Sequence, residues 1–262
     1  MEVPKDFTTQ LKEVDTLLLD LDQTLVEIHW PWLRIKLVAL MMKRFFGVIP
    51  PHKMYAAFNR GIDQVRKNNS HKTNNEVFVA SLAASAGCPE VILQERIEAF
   101  ACHDFPRLKA HFTPMTHART TLTLAQSLGL RLVVATNPTL PEKTVTRRIA
   151  WAGLGDLHFE GIMHSGIMTR SKPNPAFFEQ LLQKIDATPE ACLMVGDNPE
   201  MDLAASECGI LTYMLSENAD KPQRLSFRKH PELQAWGDYP TLQSLLTASR
   251  HQNTTCAPRR DP

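Results

Sequence analysis

Two aspartates stand two residues apart where a buried strand should end. The stretch TLLLDLDQTLVEIHW, Thr16 to Trp30, carries Asp20 and Asp22 directly after three leucines. A charge taken from water is costly unless something pairs with it, so these carboxylates call for a partner. Further along come Thr136 and Asn137 in VVATNP, Lys172 in SKPNP, and Asp197 and Asp202 in LMVGDNPEMD. Singly, each has an ordinary structural reading. A strand-end aspartate caps a helix, Thr-Asn forms a turn, a lysine is solvated, and an aspartate in a first helical turn complements the dipole. Together they describe a pocket with three or four carboxylates, one lysine and small hydrogen-bond donors. Crowded carboxylates raise each other's pKa unless a cation joins them. Oxygen ligands of this kind suit Mg²⁺. Metal, ammonium and hydroxyl donors together suit the spread negative charge of a phosphoryl group. The residue chemistry points to metal-assisted phosphoryl transfer.

These residues must be brought to one place by the elements around them. TLLL, LRLVVATNP, ACLMVGD and ILTYML read as short buried strands, and FEGIMHSG as strand or irregular. Between them THARTTLTLAQSLG, PEKTVTRRIAWAGLG, NPAFFEQLLQKI and MDLAASECG read as helices. This alternation predicts an α/β fold, a Rossmann-like parallel sheet flanked by helices. In such sheets ligands gather beyond the carboxyl ends of the strands, where the polar set lies. Residues 28–113 break the alternation. Trp32, Ile35, Leu37, Val38, Leu40, Met41 and Phe45 suggest a helix with a broad apolar surface. EVFVASLAASAG and EVILQERIEAFACHDF continue the helical pattern, with no alternating strand. The expected organisation is a core of residues 1–27 and 114–248 and a small all-helical domain at 28–113. The tail 249–262 lacks an apolar pattern and is expected to be disordered.

Composition narrows the partners. In 262 residues, 43% are hydrophobic and 22% charged, which suits a folded globular chain. A net charge of +1 gives no sign of a nucleic-acid or membrane-surface binder. Cys88, Cys102, Cys192, Cys208 and Cys256 are odd in number and form no C-x-x-C pair, so reduced thiols in a cytoplasmic protein are expected. MEVPKDFTTQ has no basic region followed by an apolar block, so no secretory signal is read there. The most apolar stretch, Trp30 to Pro50, is interrupted by Arg34, Lys36, Lys43 and Arg44 and falls short of a membrane span. Nothing in the sequence sets an oligomeric state.

The order of the polar motifs resembles the haloacid dehalogenase-like hydrolases. DLDQTL at Asp20–Leu25, ATN at Ala135–Asn137, SKPNP at Ser171–Pro175 and GDNPEMD at Gly196–Asp202 match that family's four motifs in order, each at a strand or helix boundary. The resemblance implies Asp20 as nucleophile forming an aspartyl-phosphate, and Asp22 as general acid and then base. It implies Thr136 and the Asn137 backbone on the phosphoryl oxygens and Lys172 offsetting charge. Mg²⁺ would be held by Asp20, the Asp22 backbone carbonyl and Asp197, with Asp202 as ligand or orienting group. Gln23 stands where many members have glycine, and Asn198 where some have a second acid. Members that cleave carbon–halogen bonds lack the second aspartate, so Asp22 favours phosphate monoesters.

About 115 residues separate Asp20 from Thr136, against about 35 between Thr136 and Lys172, so an insert follows the first strand. It looks like the helical cap of small-molecule phosphatases in that family. Within it, Arg60, Arg66, Lys67, His71 and Lys72 are candidates to border the entrance, with a solvated loop as the plainer reading. Trp30 and Trp32 are read as core packing ahead of a wall over the site. The resulting expectation is a Mg²⁺-dependent phosphatase for a small phosphorylated metabolite. The alternatives are a phosphomutase of the same superfamily or a non-catalytic protein that binds phosphorylated ligands.

Overall fold

The computed structural model describes residues 4–216, 230 and 233–251. After a short helix, α1 (Lys5–Gln10), the strand β1 (Thr16–Leu19) enters the middle of the sheet with all four residues buried. TLLL runs without alternation because both faces are covered by helices. The other sheet strands are β4 (Arg131–Val134), β5 (Gly161–Ile162), β6 (Cys192–Gly196), β7 (Leu211–Leu215) and β8 (Ala235–Gly237). Among the described residues they form a six-stranded sheet of order β5-β4-β1-β6-β7-β8, every pairing parallel. The chain passes from β1 outward to β4 and β5, then returns to the far side of β1 for β6. That reversal makes β1 the topological switch point, beside which open α/β sheets place their ligands.

Helices α6 (Ala118–Ser127), α7 (Glu142–Trp151) and α8 (Pro175–Ile185) connect these strands. MDLAASECG, read as one helix, is two single-turn pieces, α9 (Pro199–Asp202) and α10 (Ala204–Glu207). The main apolar core fills one side of the sheet around Leu17, Leu19, Leu132, Val134, Leu193 and Val195. A second cluster, with Leu18, Val133, Phe177, Phe178 and Leu181, fills the other.

The helical insert hangs from a narrow two-stranded ribbon. β2 (Val26–Ile28) leads into it and β3 (Phe112–Pro114) leads out, paired antiparallel with Ile28 opposite Phe112. Between them lie α2 (Trp30–Arg44), α3 (Pro51–Arg66), α4 (Asn74–Ala86) and α5 (Glu90–Ala99), then a π-turn at Phe100–Asp104 and a 3₁₀ segment at Phe105–His111. The insert has its own core of Phe45, Ile49, Met54, Val79, Leu82 and Leu93. α3 and α4 approach closely at Gly61, where a Cβ would lie 2.8 Å from the Phe78 ring. Thr73 and Glu76 form a reciprocal capping box that starts α4, and Gly87 at φ 68° ends it.

Two further expectations change here. The apolar surface of α2 is divided: Leu33 and Leu40 pack inward, while Trp32, Ile35 and Val38 are exposed. A 3.6-residue pattern wider than one face cannot all reach a single core. The last helix, α11 (Tyr239–His251), runs through the start of the expected tail, and Arg250 donates to the carbonyls of Lys12 and Val14. The rest of that tail, 252–262, lies outside the described residues, as does Cys256. Cys88, Cys102, Cys192 and Cys208 are free thiols. No single helix among the described residues is long and apolar enough to cross a membrane.

Candidate active site

Backbone register assembles the site. Leu19 of β1 lies opposite Val134 of β4 on one side and Val195 of β6 on the other. The next residue on each strand is therefore Asp20, Ala135 or Gly196, and the polar motifs begin there. The Asp20 N–H donates to the Val195 carbonyl at 2.9 Å and the Ala135 N–H to the Leu19 carbonyl at 2.7 Å. Beyond this line a cavity of about 300 Å³ is lined by all seven residues singled out in the motifs: Asp20, Asp22, Thr136, Asn137, Lys172, Asp197 and Asp202.

Lys172 anchors the centre. It is 1% exposed, and its Nζ donates to Asp20 Oδ1 at 3.0 Å and to Asp202 Oδ1 at 2.5 Å. The second oxygen of Asp202 accepts the Asn198 N–H at 3.2 Å. Gly196 makes this possible, since a Cβ there would fall 2.1 Å from Asp202 Oδ2. Asn198 caps α9, its side chain accepting the Glu200 N–H at 3.1 Å, which turns the chain so that Asp202 points back to the strand ends. Asp197 Oδ1 accepts from the Thr24 hydroxyl at 3.3 Å. Thr24 is held in turn, its carbonyl accepting the Tyr239 hydroxyl at 2.6 Å.

Oxygens of Asp20, Asp197 and Asp202 lie within 4.8 Å of one another. Burial pushes the Asp20 carboxyl well up; Lys172 opposes the rise, and Asp202, Asp197 and Asp22 add to it. Burial, then the charge of Asp202, takes Asp197 up to about 7. Burial opposes the charge on Lys172, but Asp20 and Asp202 outweigh it and raise its pKa, so the ammonium stays protonated. With Asp22, the cavity holds four carboxylates against two buried cations, Lys172 and Arg148. The imbalance is the charge of one divalent ion, and the all-oxygen donor set fits Mg²⁺.

The turn after Asp20 explains Gln23. Its φ is 63°, in the left-handed region where glycine sits without strain. Its N–H donates to the Val26 carbonyl at 2.7 Å, and its Nε2 to the Ile28 carbonyl at 3.2 Å. The side chain thus braces the ribbon at the base of the insert, a contact glycine could not make.

Sequence reasoning missed one residue of the site. Arg148 of α7 is 3% exposed, and its Nη1 donates to both oxygens of Asp22, at 2.5 and 2.6 Å. The signal was present. Thr144, Val145, Arg148 and Ile149 form the buried stripe of α7, so an arginine stands where helical spacing calls for an apolar residue. Trp30 also lines the cavity and is 42% exposed, while Trp32 is 71% exposed, so neither is core packing. Arg60, Arg66, Lys67, His71 and Lys72 are exposed and none lines the cavity. Their segment instead docks on the core through Asn74, whose side chain donates to the carbonyls of Pro138 at 3.2 Å and Arg170 at 3.1 Å.

A family model of haloacid dehalogenase-like hydrolases matches residues 14–208, from the first strand through the last of these carboxylates. The chain belongs to that family. Among curated relatives of this haloacid dehalogenase-like hydrolase, a phosphoserine phosphatase from Thermus thermophilus is 33% identical over 129 residues. The match covers 48% of this chain and 47% of that protein, so it spans about half the relative's length. The fold is shared with a HAD phosphatase from Thermococcus onnurineus (TM-score 0.56, 17% identity, 90% and 100% of the two chains). It is also shared with a 2-haloacid dehalogenase from Pseudomonas syringae pv. tomato (TM-score 0.59, 19% identity, 90% and 99%). The fold is therefore common to proteins of both descriptions.

Proposed function

We propose that this protein is a Mg²⁺-dependent phosphatase that hydrolyses a small phosphorylated metabolite through an aspartyl-phosphate on Asp20. The observation that carries the reading is the grouping of Asp20, Asp197 and Asp202 around one buried lysine at the end of the central strand. The name of the Thermus relative supports a phosphate monoester as substrate.

Asp20 Oδ1 is held by Lys172, which leaves Oδ2 to attack phosphorus. The ester P–O bond breaks as the P–Oδ2 bond forms, and the departing oxygen takes a proton from Asp22. Water then attacks the phosphorus and gives its proton to Asp22, which releases inorganic phosphate and restores Asp20. Thr136 and the Asn137 backbone hold the phosphoryl oxygens. Asp20, Asp197 and the Asp22 carbonyl would hold Mg²⁺, with Asp202 orienting Lys172 or joining the metal's shell. The ion, when bound, offsets negative charge on the phosphoryl group. Residues 28–113 act as a cap that shields the cavity and selects the leaving group.

The test is phosphate release from p-nitrophenyl phosphate and a panel of metabolite monoesters, with Mg²⁺ and with EDTA. Asp20→Asn should lower turnover by about 10⁴-fold, as loss of a nucleophile does. Activity that persists in EDTA or in Asp20→Asn would overturn the mechanism. Isomerised sugar phosphate in place of stoichiometric inorganic phosphate would mark a mutase.

A further inference from the structure

Arg148 is the member of the cavity that phosphoryl transfer leaves unexplained. Asp20, Lys172, Thr136 and the metal-binding carboxylates account for a phosphoryl group, and none of them needs a guanidinium beside Asp22. Burying arginine is expensive unless its donors are met. Here, among the described residues, only Nη1 is engaged, giving both its bonds to Asp22, while Nε is buried with no partner there. An arginine normally meets a carboxylate through two nitrogens in a fork. This one holds Asp22 by a single nitrogen and keeps donor capacity in reserve.

Its position is fixed by the core. Val145 and Ile149 on either side of it in α7 are fully buried, and Trp151 one turn on stacks on Phe105 at 5.4 Å, where the insert rejoins the ribbon. The guanidinium is thus immobilised against the Asp22 carboxylate, in the same cavity as Asp20 and Lys172.

We propose that Arg148 is a specificity-determining residue that receives a carboxylate on the leaving-group portion of the substrate. This rests on the phosphatase reading above. In the free protein the Asp22 carboxylate occupies the receptor, which demonstrates that a planar two-oxygen anion fits there. A substrate carboxylate takes the fork, satisfies Nε, and displaces Asp22 toward the leaving oxygen. Esters without such a group leave Asp22 on the arginine and react slowly. Selection of the leaving group therefore begins in the core helix α7, before any contact with the insert.

The experiment uses a matched pair, 3-phosphooxypropanoate and its neutral amide, with Mg²⁺. The wild-type kcat/KM should favour the acid by about 100-fold, and Arg148→Met should bring the ratio to within about threefold, as expected when a site loses the partner of one substrate group. Arg148→Lys, which keeps the charge without the fork, should fall between. A ratio cannot be moved by a general loss of folded protein, and Arg148→Lys serves if the methionine variant does not fold. Calorimetric binding of the same pair to Asp20→Asn protein separates this inference from the phosphatase reading. Preferential binding of the acid, abolished by adding Arg148→Met, supports the receptor even if no ester is turned over. Adding Asp22→Asn in place of Arg148→Met should tighten binding of the acid, because the resident competitor is gone. Equal use and equal binding of acid and amide by protein bearing Arg148, or a preference that survives Arg148→Met, would overturn the proposal.

Discussion

Lys172 and Asp202 form an ion pair at 2.5 Å in which both side chains are 1% exposed. The same ammonium also serves Asp20, so a single cation neutralises two carboxylates that have no other counter-charge among the protein's described side chains. Removing one partner of a buried pair is strongly destabilising because it strands the other. Lys172→Met should cost about 3 kcal/mol or more in urea denaturation without Mg²⁺. Saturating Mg²⁺ should recover part of that loss, since it supplies the missing positive charge. Equal stability of variant and wild type would rule out the lysine as the structural counter-ion.

Gly196 offers a narrower probe of the same cluster. A methyl group at this position would overlap Asp202 Oδ2, so Gly196→Ala must push the carboxylate off Lys172 and off the Asn198 N–H. The expected cost is about 1–3 kcal/mol, the range for overpacking a tight site. Mg²⁺ affinity, read by the metal-dependent rise in melting temperature, should weaken in parallel.

The buried acids also set a pH dependence for the metal-free protein. Asp20 and Asp197 are raised above the unfolded carboxylate value, Asp197 to about 7. Between the unfolded and folded values the folded state binds more protons than the unfolded chain, so the stability Asp197 contributes is full below about pH 4 and is lost as pH rises through about 7, and the contribution of Asp20 has the same sign. In EDTA the protein should melt lower at pH 8 than at pH 6, with Asp197 contributing about 1 kcal/mol of the difference. Asp197→Asn should shrink the gap, and Mg²⁺ should close it in the wild type. A melting temperature that climbs from pH 6 to pH 8 in EDTA would contradict the sign.

Asn74 links the insert to the loops at Pro138 and Arg170. It is fully buried, accepts from Asn68 Nδ2 at 3.0 Å, and donates to the carbonyls of Pro138 and Arg170. Asn74→Ala leaves those buried groups without their partner and should cost about 2 kcal/mol. Hydrogen exchange should locate the loosening in α4 and in the loop at Ser165–Arg170, with β1 and β6 unchanged. Uniform protection throughout would show that the insert is held by other contacts.

The strand ends were legible from sequence because aspartates following leucine runs violate an otherwise strict apolar pattern, and each of the residues so marked lines one cavity. The parallel sheet was legible for the related reason that TLLL and CLMVG do not alternate. Arg148 was not, because helical arginines are mostly solvent-facing and only the spacing from Thr144 and Val145 marks this one as buried. The exposure of Trp32 and Ile35 was hidden for the opposite reason: an apolar residue states a preference for burial, while the number of helix faces that find a partner is a property of the whole fold. The short strand β8 and the helix α11 went unread since AWG is too brief to carry a period.

The ribbon of β2 and β3 has a consequence for how this chain can change. Ile28 and Phe112 are direct partners across it, about 5 Å apart as such pairs are. Everything between them could be replaced by a two-residue turn, or by a different folded module, without altering a single hydrogen bond of the six-stranded sheet. The apolar side chains Leu33, Leu40, Phe105 and Leu108 that the insert contributes to the main core would have to be matched by any replacement. Within that constraint the neck is a grafting point. Recombination there could exchange one insert for another in a single event, while the acids, the lysine and Arg148 pass unchanged from parent to descendant.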